Sequence, residues 1–257
     1  MNIAVINTKG GASKSTFALQ VAGAYFLNIG KEVDLFEFDD ENKDSKTFTN
    51  SAIRSTQIKI GDGKDISDIL RNSLLEHKGE NLVIDVGGNK TTTIFIDGLK
   101  KSFLYKKIDL FIIPMSGGSQ DLDNAIKTHK MVESFGVPIL FGLSRVRNTE
   151  RLTYQYQDFF INFPTAPFVV LTDSDTIDLS RSLKRTVFEI AIDKEMKFLL
   201  EKDMLKSFDT NDIQKSKNLS LQYEIYGESE KYLEEILQPA WAKLDLLIGD
   251  KNVIDDN

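Results

Sequence analysis

The chain has 257 residues, of which 39 are acidic and 32 basic, for a formal net charge of −7; 41% of residues are hydrophobic. It has no cysteine and only two histidines, which excludes disulfides, iron–sulfur clusters, thiolate metal sites and a histidine-rich zinc site. The acidic balance argues against a surface coated in positive charge for nucleic acid, but it permits a local basic patch. The N-terminus lacks the features of a secretory signal, and no apolar run approaches the roughly 20 residues that cross a bilayer. We therefore expect a soluble, cytoplasmic protein.

Apolar, β-branched runs alternate with amphipathic segments along the first two thirds of the chain. The runs predict buried strands at Ile3–Ile6, Val33–Phe38, Asn81–Val86, Leu110–Pro114, Ile139–Leu143 and Phe168–Leu171. The amphipathic segments predict helices near residues 15–29, 65–77, 91–104, 119–134 and 149–161. This alternation predicts an α/β fold with a doubly wound, mainly parallel sheet and helices on both faces.

The alternation stops after about residue 176. Residues 177–206 and 228–247 have helical patterns, joined by the polar stretch Ser207–Lys217. Pro239 lies inside the second pattern and should kink or break that helix. The polar tail Gly249–Asn257 should fray. We expect one domain over residues 1–257, in which residues 177–257 form a mainly helical C-terminal region.

The first predicted strand runs into a loop of small residues, Asn7–Thr16, and a helical pattern follows from Phe17. Such a turn lets backbone N–H groups face an anion at a helix N-terminus. Lys14 is predicted to reach the β- and γ-phosphates of a nucleotide, and the Ser15 hydroxyl to ligate Mg²⁺. Ser13 stands where the usual pattern has glycine, so the loop should avoid a glycine-only backbone angle there. The alternative is a glycine-rich turn that holds no ligand.

The loop resembles the deviant Walker A motif of the ParA/MinD family of ATPases, through Lys9-Gly10-Gly11-x-x-Lys14-Ser15-Thr16. The resemblance implies a P-loop NTPase fold and Mg²⁺-dependent hydrolysis of ATP. In this family a second lysine, which Lys9 matches, crosses a dimer interface to the phosphates bound by the partner subunit. Lys9 is thus expected to be catalytic in an ATP-dependent homodimer. The nucleotide-binding residues implied by the motif are Lys9, Gly10, Gly11, Ala12, Ser13, Lys14, Ser15 and Thr16.

The second predicted strand ends in Leu35-Phe36-Glu37-Phe38-Asp39-Asp40, which resembles the family's switch I segment. Asp39 matches the aspartate that positions the attacking water, so the resemblance implies a catalytic role for it. Glu37 and Asp40 replace the aspartate and proline that are usual in the family. The alternative interpretation is an acidic surface turn.

Two later strand ends also resemble segments of the family. The whole resemblance covers about residues 1–175 of this chain. Asn81–Gly88 resembles Walker B followed by switch II, which implies that Asp85 holds Mg²⁺ through a water molecule. Ser144-Arg145-Val146 resembles the Asn-Arg-Val near the adenine, which implies that Arg145 contacts the nucleotide. A turn-forming aspartate and an arginine in a surface ion pair are the alternatives.

The resemblance implies a ParA-type ATPase that drives plasmid or chromosome partition. Its ATP dimer would bind DNA without sequence preference and associate with the nucleoid, and a centromere-binding, ParB-like partner would stimulate hydrolysis. The same cycle also serves the positioning of a non-DNA cargo or conjugative transfer. A MinD-like membrane-cycling regulator needs a terminal basic amphipathic helix, whereas residues 248–257 are acidic and poor in bulky apolar residues, so no membrane partner is expected.

Two short basic clusters interrupt the acidic background. One contains Lys100, Lys101, Lys106 and Lys107, and the other contains Arg181, Lys184 and Arg185. The second is the predicted DNA-binding surface, because a dimer would present it twice and sum its phosphate contacts. The alternative for either cluster is a solvated helix face.

Overall fold

The computed structural model describes residues 1–38, 48–59, 66–209 and 212–254, with side chains up to Gly249. Within these residues seven strands form one sheet, in the order β3-β2-β4-β1-β5-β6-β7, and every pair is parallel. The strands are β1 (Asn2–Val5), β2 (Asp34–Phe38), β3 (Arg54–Gln57), β4 (Leu82–Val86), β5 (Leu110–Met115), β6 (Ile139–Val146) and β7 (Phe168–Thr172). The predicted parallel sheet is confirmed.

Apart from short 3₁₀ segments, ten helices accompany these strands in the described part of the chain. They are α1 (residues 14–28), α2 (Ile66–Leu75), α3 (Lys90–Ser102), α4 (Ser119–Val132), α5 (Leu152–Gln155), α6 (Gln157–Asn162), α7 (Asp175–Leu183), α8 (Val187–Ala191), α9 (Lys194–Asp209) and α10 (residues 213–254). Helix α1 is π-helical over Phe17–Gly23, and α10 over Leu233–Leu237. None of the described helices combines the length and the apolar composition needed to cross a bilayer.

Side chains of the central strand β1 alternate between two hydrophobic cores. Ile3 and Val5 pack in a core that includes residues of α1 and α10, whereas Ala4 lies in the core that includes residues of α2, α3 and α4. Trp241 of α10 is buried in the first core, and its indole N–H donates to the Val21 carbonyl in the π-helical part of α1 at 3.0 Å. The predicted placement of helices on both faces is therefore confirmed.

Strand β3 was not predicted, because its sequence Arg54-Ser55-Thr56-Gln57 is polar. It lies at the edge of the sheet beside β2, where a strand is only partly buried and can therefore have polar side chains. Asp34 of β2 accepts a hydrogen bond from the Arg54 Nε at 2.7 Å, and the two residues are in register. Pairing with β2 thus forms a strand that hydrophobic patterning alone does not indicate.

The C-terminal region differs from the prediction in two places. The polar stretch predicted as a linker over Ser207–Lys217 is mostly helical: α9 continues to Asp209, and α10 begins at Ile213, where the Asp212 side chain accepts from the Lys215 N–H. Helix α10 continues past Pro239 and reaches Ile254, so the predicted break at the proline is wrong, while the alternative of a kink there stays a prediction. The π-helical turn directly before Pro239 changes the local hydrogen-bond register, and this accommodates a residue without an N–H.

Candidate functional site

A cleft of about 590 Å³ opens at the carboxyl edge of the sheet, beside the end of β1. Its walls come from the loop after β1, from residues 85–91 after β4, from the end of β6, and from residues 171–175 and α7 after β7. Ligands bind at this edge in open parallel α/β sheets, because strand ends and helix N-termini converge there. The cleft collects most of the predicted nucleotide-binding residues: Gly10, Gly11, Ser13, Lys14, Ser15, Thr16 and Arg145.

The loop contains two residues with left-handed backbone conformations. Gly11 has a φ of 73°, and Ser13 has a φ of 63° and a ψ of 24°. Ser13 thus has a positive φ, but in the left-handed helical region that residues with a Cβ can adopt, and not at a backbone angle open to glycine alone. A non-glycine residue in this region costs roughly 1 kcal/mol, so local strain is located directly before the first turn of α1.

The Lys14 side chain is buried and folds back across the loop. Its ammonium donates to the carbonyl oxygen of Lys9 at 2.9 Å. The backbone of the loop thus holds this cation beside the cleft that Lys14 lines. A phosphate group in the cleft would meet a positive charge that is already in place.

The two predicted Mg²⁺ ligands lie in contact. The Ser15 hydroxyl donates to the Asp85 Oδ2 at 2.6 Å, although the two residues are separated by 70 positions in the chain. Strands β1 and β4 are neighbours in the sheet and bring their carboxyl ends together. A hydroxyl and a carboxylate oxygen are the hard donors that Mg²⁺ prefers, so these residues fit a magnesium ion.

The loop after β4 packs directly against the loop after β1. A Cβ placed on Gly88 would lie 2.6 Å from the Gly10 N, so only glycine permits this approach. The Asn89 N–H donates to the Thr8 carbonyl at 2.6 Å, and the Thr92 hydroxyl donates to the Asn7 carbonyl at 2.9 Å. These contacts make the two loops one structural unit around the cleft.

Lys9 directs its side chain away from the cleft. Its ammonium forms an ion pair with Asp121, a buried residue in the first turn of α4, and Asp121 also accepts a hydrogen bond from the Ser116 hydroxyl. Sequence reasoning missed Asp121. Acidic residues are common in the first turns of helices, where they complement the helix dipole, so nothing in the sequence distinguished this one.

The end of β6 supplies Arg145 to the cleft. This exposed residue has a φ of 56°, and its carbonyl accepts a hydrogen bond from the Gln155 side chain at 2.9 Å. Three more residues line the cleft after β7: Asp173 directly follows the strand, and Asp178 and Tyr232 belong to the C-terminal region. None of the three was predicted, because no motif of the resemblance includes them and neither an acidic residue after a strand nor a tyrosine in a helix carries a specific signal.

The three predicted DNA-binding residues occupy different environments. Arg181 lines the nucleotide-sized cleft and pairs with Asp178 at 2.8 Å. Arg185 is half-buried and pairs with Asp193 at 2.7 Å. Lys184 is exposed at the end of α7, with a φ of 58°. Lys184 therefore has the clearest access to an external ligand among the three.

Asp39, the predicted catalytic carboxylate, lies outside the described residues. Strand β2 ends at Phe38, directly before it, and β2 is the neighbour of β4 in the sheet. The role of Asp39 remains a prediction. Glu37, which replaces a family aspartate, is buried at the end of the same strand.

Many solved structures are similar to this chain in fold, among them the following three. A putative plasmid partition protein from Borrelia burgdorferi bound to AMPPNP is 17% identical, with a TM-score of 0.52, over 70% of this chain and 89% of that one. The MinD cell division protein of Aquifex aeolicus is 12% identical, with a TM-score of 0.53, over 75% and 89%. A nucleotide-binding protein from Archaeoglobus fulgidus in complex with ADP is 14% identical, with a TM-score of 0.52, over 72% and 86%.

No protein-family model matches the sequence, and no curated protein matches it. At identities below 20% the structural likeness establishes the fold. The chain thus has the P-loop NTPase fold of these structures, with additional C-terminal helices.

Proposed function

We propose that this chain is an Mg²⁺-dependent ATPase of the ParA/MinD type that dimerises on ATP, binds DNA without sequence preference and drives plasmid or chromosome partition. It acts in the cytoplasm on the nucleoid, as one domain over residues 1–257, with a centromere-binding, ParB-like partner that stimulates hydrolysis. The observation that carries the proposal is the contact of Ser15 with Asp85 at 2.6 Å, in a cleft that also contains Lys14. The fold of partition and MinD structures supports it.

Each side chain at the cleft has a distinct task in the proposed reaction. Lys14 binds the β- and γ-phosphates by charge-assisted hydrogen bonds. Ser15 and Asp85 hold the magnesium ion, which neutralises phosphate charge when bound. Asp39 orients the attacking water, and Arg145 contacts the nucleotide at the end of β6. Catalysis of this kind depends on positioning and electrostatics, so no covalent intermediate is required.

The proposed role of Lys9 belongs to the dimer. In the monomer its side chain points to α4 and is about one third exposed, at 31%. A lysine at the rim of a loop that lines the cleft can reach across to a second copy bound face to face. Lys9 then adds a positive charge to the phosphates held by the partner subunit.

A second candidate is the positioning of a non-DNA cargo, or a role in conjugative transfer, by the same ATP cycle. The ion pairs Arg181–Asp178 and Arg185–Asp193 favour it, because they offset two of the three charges on the predicted DNA surface. The ATPase machinery is identical in both cases. The two functions differ in whether the ATP dimer binds DNA.

The two lysines of the loop provide the test of the ATP-dependent dimer. Lys14→Ala should lower ATP affinity at least a hundredfold in isothermal titration, because a charge-assisted contact to two phosphates is lost. Lys9→Ala should bind ATP with nearly normal affinity but fail to dimerise in light scattering. An ATP dimer of normal stability in Lys9→Ala would contradict the intersubunit role, and normal ATP affinity in Lys14→Ala would contradict the nucleotide site.

A further inference from the structure

The segment that joins α3 to β5 carries a basic patch on an acidic protein. Residues 97–107 contain one acidic residue and four lysines: Lys100, Lys101, Lys106 and Lys107. All four lysines are exposed, and none is among the lysines that form ion pairs in the described part of the chain. The dipole of α3 favours cations in its last turn, which contains the first two, but the other two follow after this helix has ended. The patch can therefore meet an external anion.

Phe103 lies in the middle of the patch, in a position that does not suit an aromatic residue. It directly follows α3 with a φ of 59° and a ψ of 14°, a left-handed conformation in which glycine is the usual residue after a helix. Its side chain is 66% exposed, so burial in the core does not offset the backbone strain. The fold thus gives no reason for an aromatic side chain here, and a ligand would.

The backbone fixes Phe103 between the lysines. The Phe103 N–H donates to the Lys100 carbonyl, and the Phe103 carbonyl accepts from the Lys106 N–H, each at 3.3 Å. The next residue, Leu104, is buried in the core that includes residues of α3. The ring of Phe103 is therefore held at the surface between two turns that carry lysines.

The combination of cations with an exposed aromatic face narrows the class of ligand. Duplex DNA presents phosphates to lysines, but its bases are stacked on one another and offer no face to a ring. An anionic bilayer attracts lysines, yet one aromatic side chain anchors far less than a myristoyl chain, which by itself binds only marginally. A single strand offers phosphates together with unpaired bases, which stack on aromatic side chains without sequence preference. Single-stranded nucleic acid therefore matches the patch best.

From these observations we propose that the patch binds single-stranded nucleic acid, with Phe103 stacked on an unpaired base and the four lysines on the flanking phosphates. The patch lies at the amino edge of the sheet, because β5 begins at Leu110, shortly after it. The cleft opens at the carboxyl edge, at the other end of α3. A bound strand leaves the cleft open, so binding does not require ATP. The inference goes beyond the proposed function, which concerns DNA held by the ATP dimer.

The aromatic contact is tested without ATP, by the fluorescence anisotropy of a labelled oligothymidine strand at low salt. The wild type should bind this strand at least tenfold more tightly than a duplex of the same length, because only the strand offers a base to Phe103. Phe103→Leu keeps an apolar side chain but removes the aromatic face, so it should lower strand affinity about tenfold, whereas Phe103→Trp should retain or increase it. Phe198 of α9, which is 62% exposed, offers the matched control Phe198→Leu, which should bind like wild type.

The lysine contacts are tested by their dependence on salt. Strand affinity should fall as salt rises, and Lys106→Glu should both weaken binding and flatten this dependence, because fewer counterions are released. Lys215→Glu makes the same charge change at another exposed position and should do neither. Acylation of the wild type, read by mass spectrometry, needs no variant. The strand should slow modification of the four patch lysines several-fold and leave Lys215 unchanged.

Three results would overturn the inference. The first is a wild type that does not bind the strand at low salt, or binds it without protecting the patch lysines. The second is Phe103→Leu with the same strand affinity as Phe198→Leu, which would leave only a charged surface. The third is binding to vesicles of anionic phospholipid but not to the strand, which would identify a membrane surface. None of these measurements contains ATP, so each outcome leaves the proposed ATP dimer untouched.

Discussion

At position 88, in the wall of the cleft, the backbone of the loop after β1 leaves no room for a side chain. Replacing Gly88 with alanine places a Cβ 2.6 Å from the Gly10 N and 2.7 Å from its Cα, so the two loops must separate. We expect Gly88→Ala to weaken ATP binding at least tenfold in isothermal titration. Gly118, at the same edge of the sheet, has open space around its Cα, so Gly118→Ala should retain normal affinity. Unchanged binding in Gly88→Ala would show that the loop contact does not shape the site.

Individual residues differed in how far the sequence could predict them. The placement of Lys14, Ser15 and Asp85 at one edge of the sheet was predictable, because parallel strands bring their carboxyl ends together there. Their roles in binding stay predictions. The positive φ of Ser13 was not predictable, since serine normally avoids that region and the turn geometry prevails over this preference. Asp121 was not predictable either, because its partner Lys9 is 112 positions away and no local pattern joins them.

Among the elements, the edge pair β2–β3 is held by a charged cluster. Asp34 accepts a hydrogen bond from the Arg54 Nε, and its other oxygen pairs with the His77 Nε2 at 2.7 Å. Partial burial raises the pKa of the Asp34 carboxyl, but the hydrogen bonds and charges of Arg54 and His77 outweigh it, so the pKa lies below its usual value. The carboxylate therefore stabilises the folded state by interactions that the unfolded chain lacks.

This shift fixes the sign of a pH effect. The pKa of Asp34 is lower in the folded protein than in the unfolded chain, where it is about 3.9. The stabilisation that Asp34 gives the folded state is therefore fully present above that unfolded value, and it is lost as the pH falls through the folded pKa. Asp34→Asn should cost about 1 kcal/mol of unfolding free energy at pH 7 in urea titrations, and the difference from wild type should shrink below about pH 4. Asp68→Asn, which removes an exposed partner of Arg71, should cost much less. A constant difference across this range would contradict the assignment.

Elements with a strong apolar pattern were predictable, and those set by tertiary contacts were not. Six strands follow from apolar runs, but β3 is polar and forms because β2 offers a free edge. The stretch Ser207–Lys217 looks like a linker in composition, yet the buried Ser207 and the cap at Asp212 keep most of it helical. Before Pro239 a π-helical turn changes the hydrogen-bond register, so the missing N–H of the proline does not end the helix.

At the scale of the whole molecule, a net charge of −7 means that the proposed DNA binding would have to depend on a local basic patch, which the proposed dimer would present twice. We expect the ATP dimer to bind DNA without sequence preference and with steep salt dependence, and Lys184→Glu to weaken this about tenfold in fluorescence anisotropy. Lys215→Glu makes the same charge change at another exposed position and should have little effect. Absence of DNA binding in the wild-type ATP dimer would favour a non-DNA cargo.

The indole of Trp241 gives the molecule a built-in optical probe. It is the single tryptophan of the chain, it is buried, and it is hydrogen-bonded to the π-helical part of α1, with Phe188 edge-on to its ring at 5.7 Å. Because α1 begins at the loop after β1, any shift of this helix alters the polarity and quenching around one chromophore. Intrinsic fluorescence can therefore follow ligand-driven movement of α1 in real time, without an attached dye and without a background from other indoles.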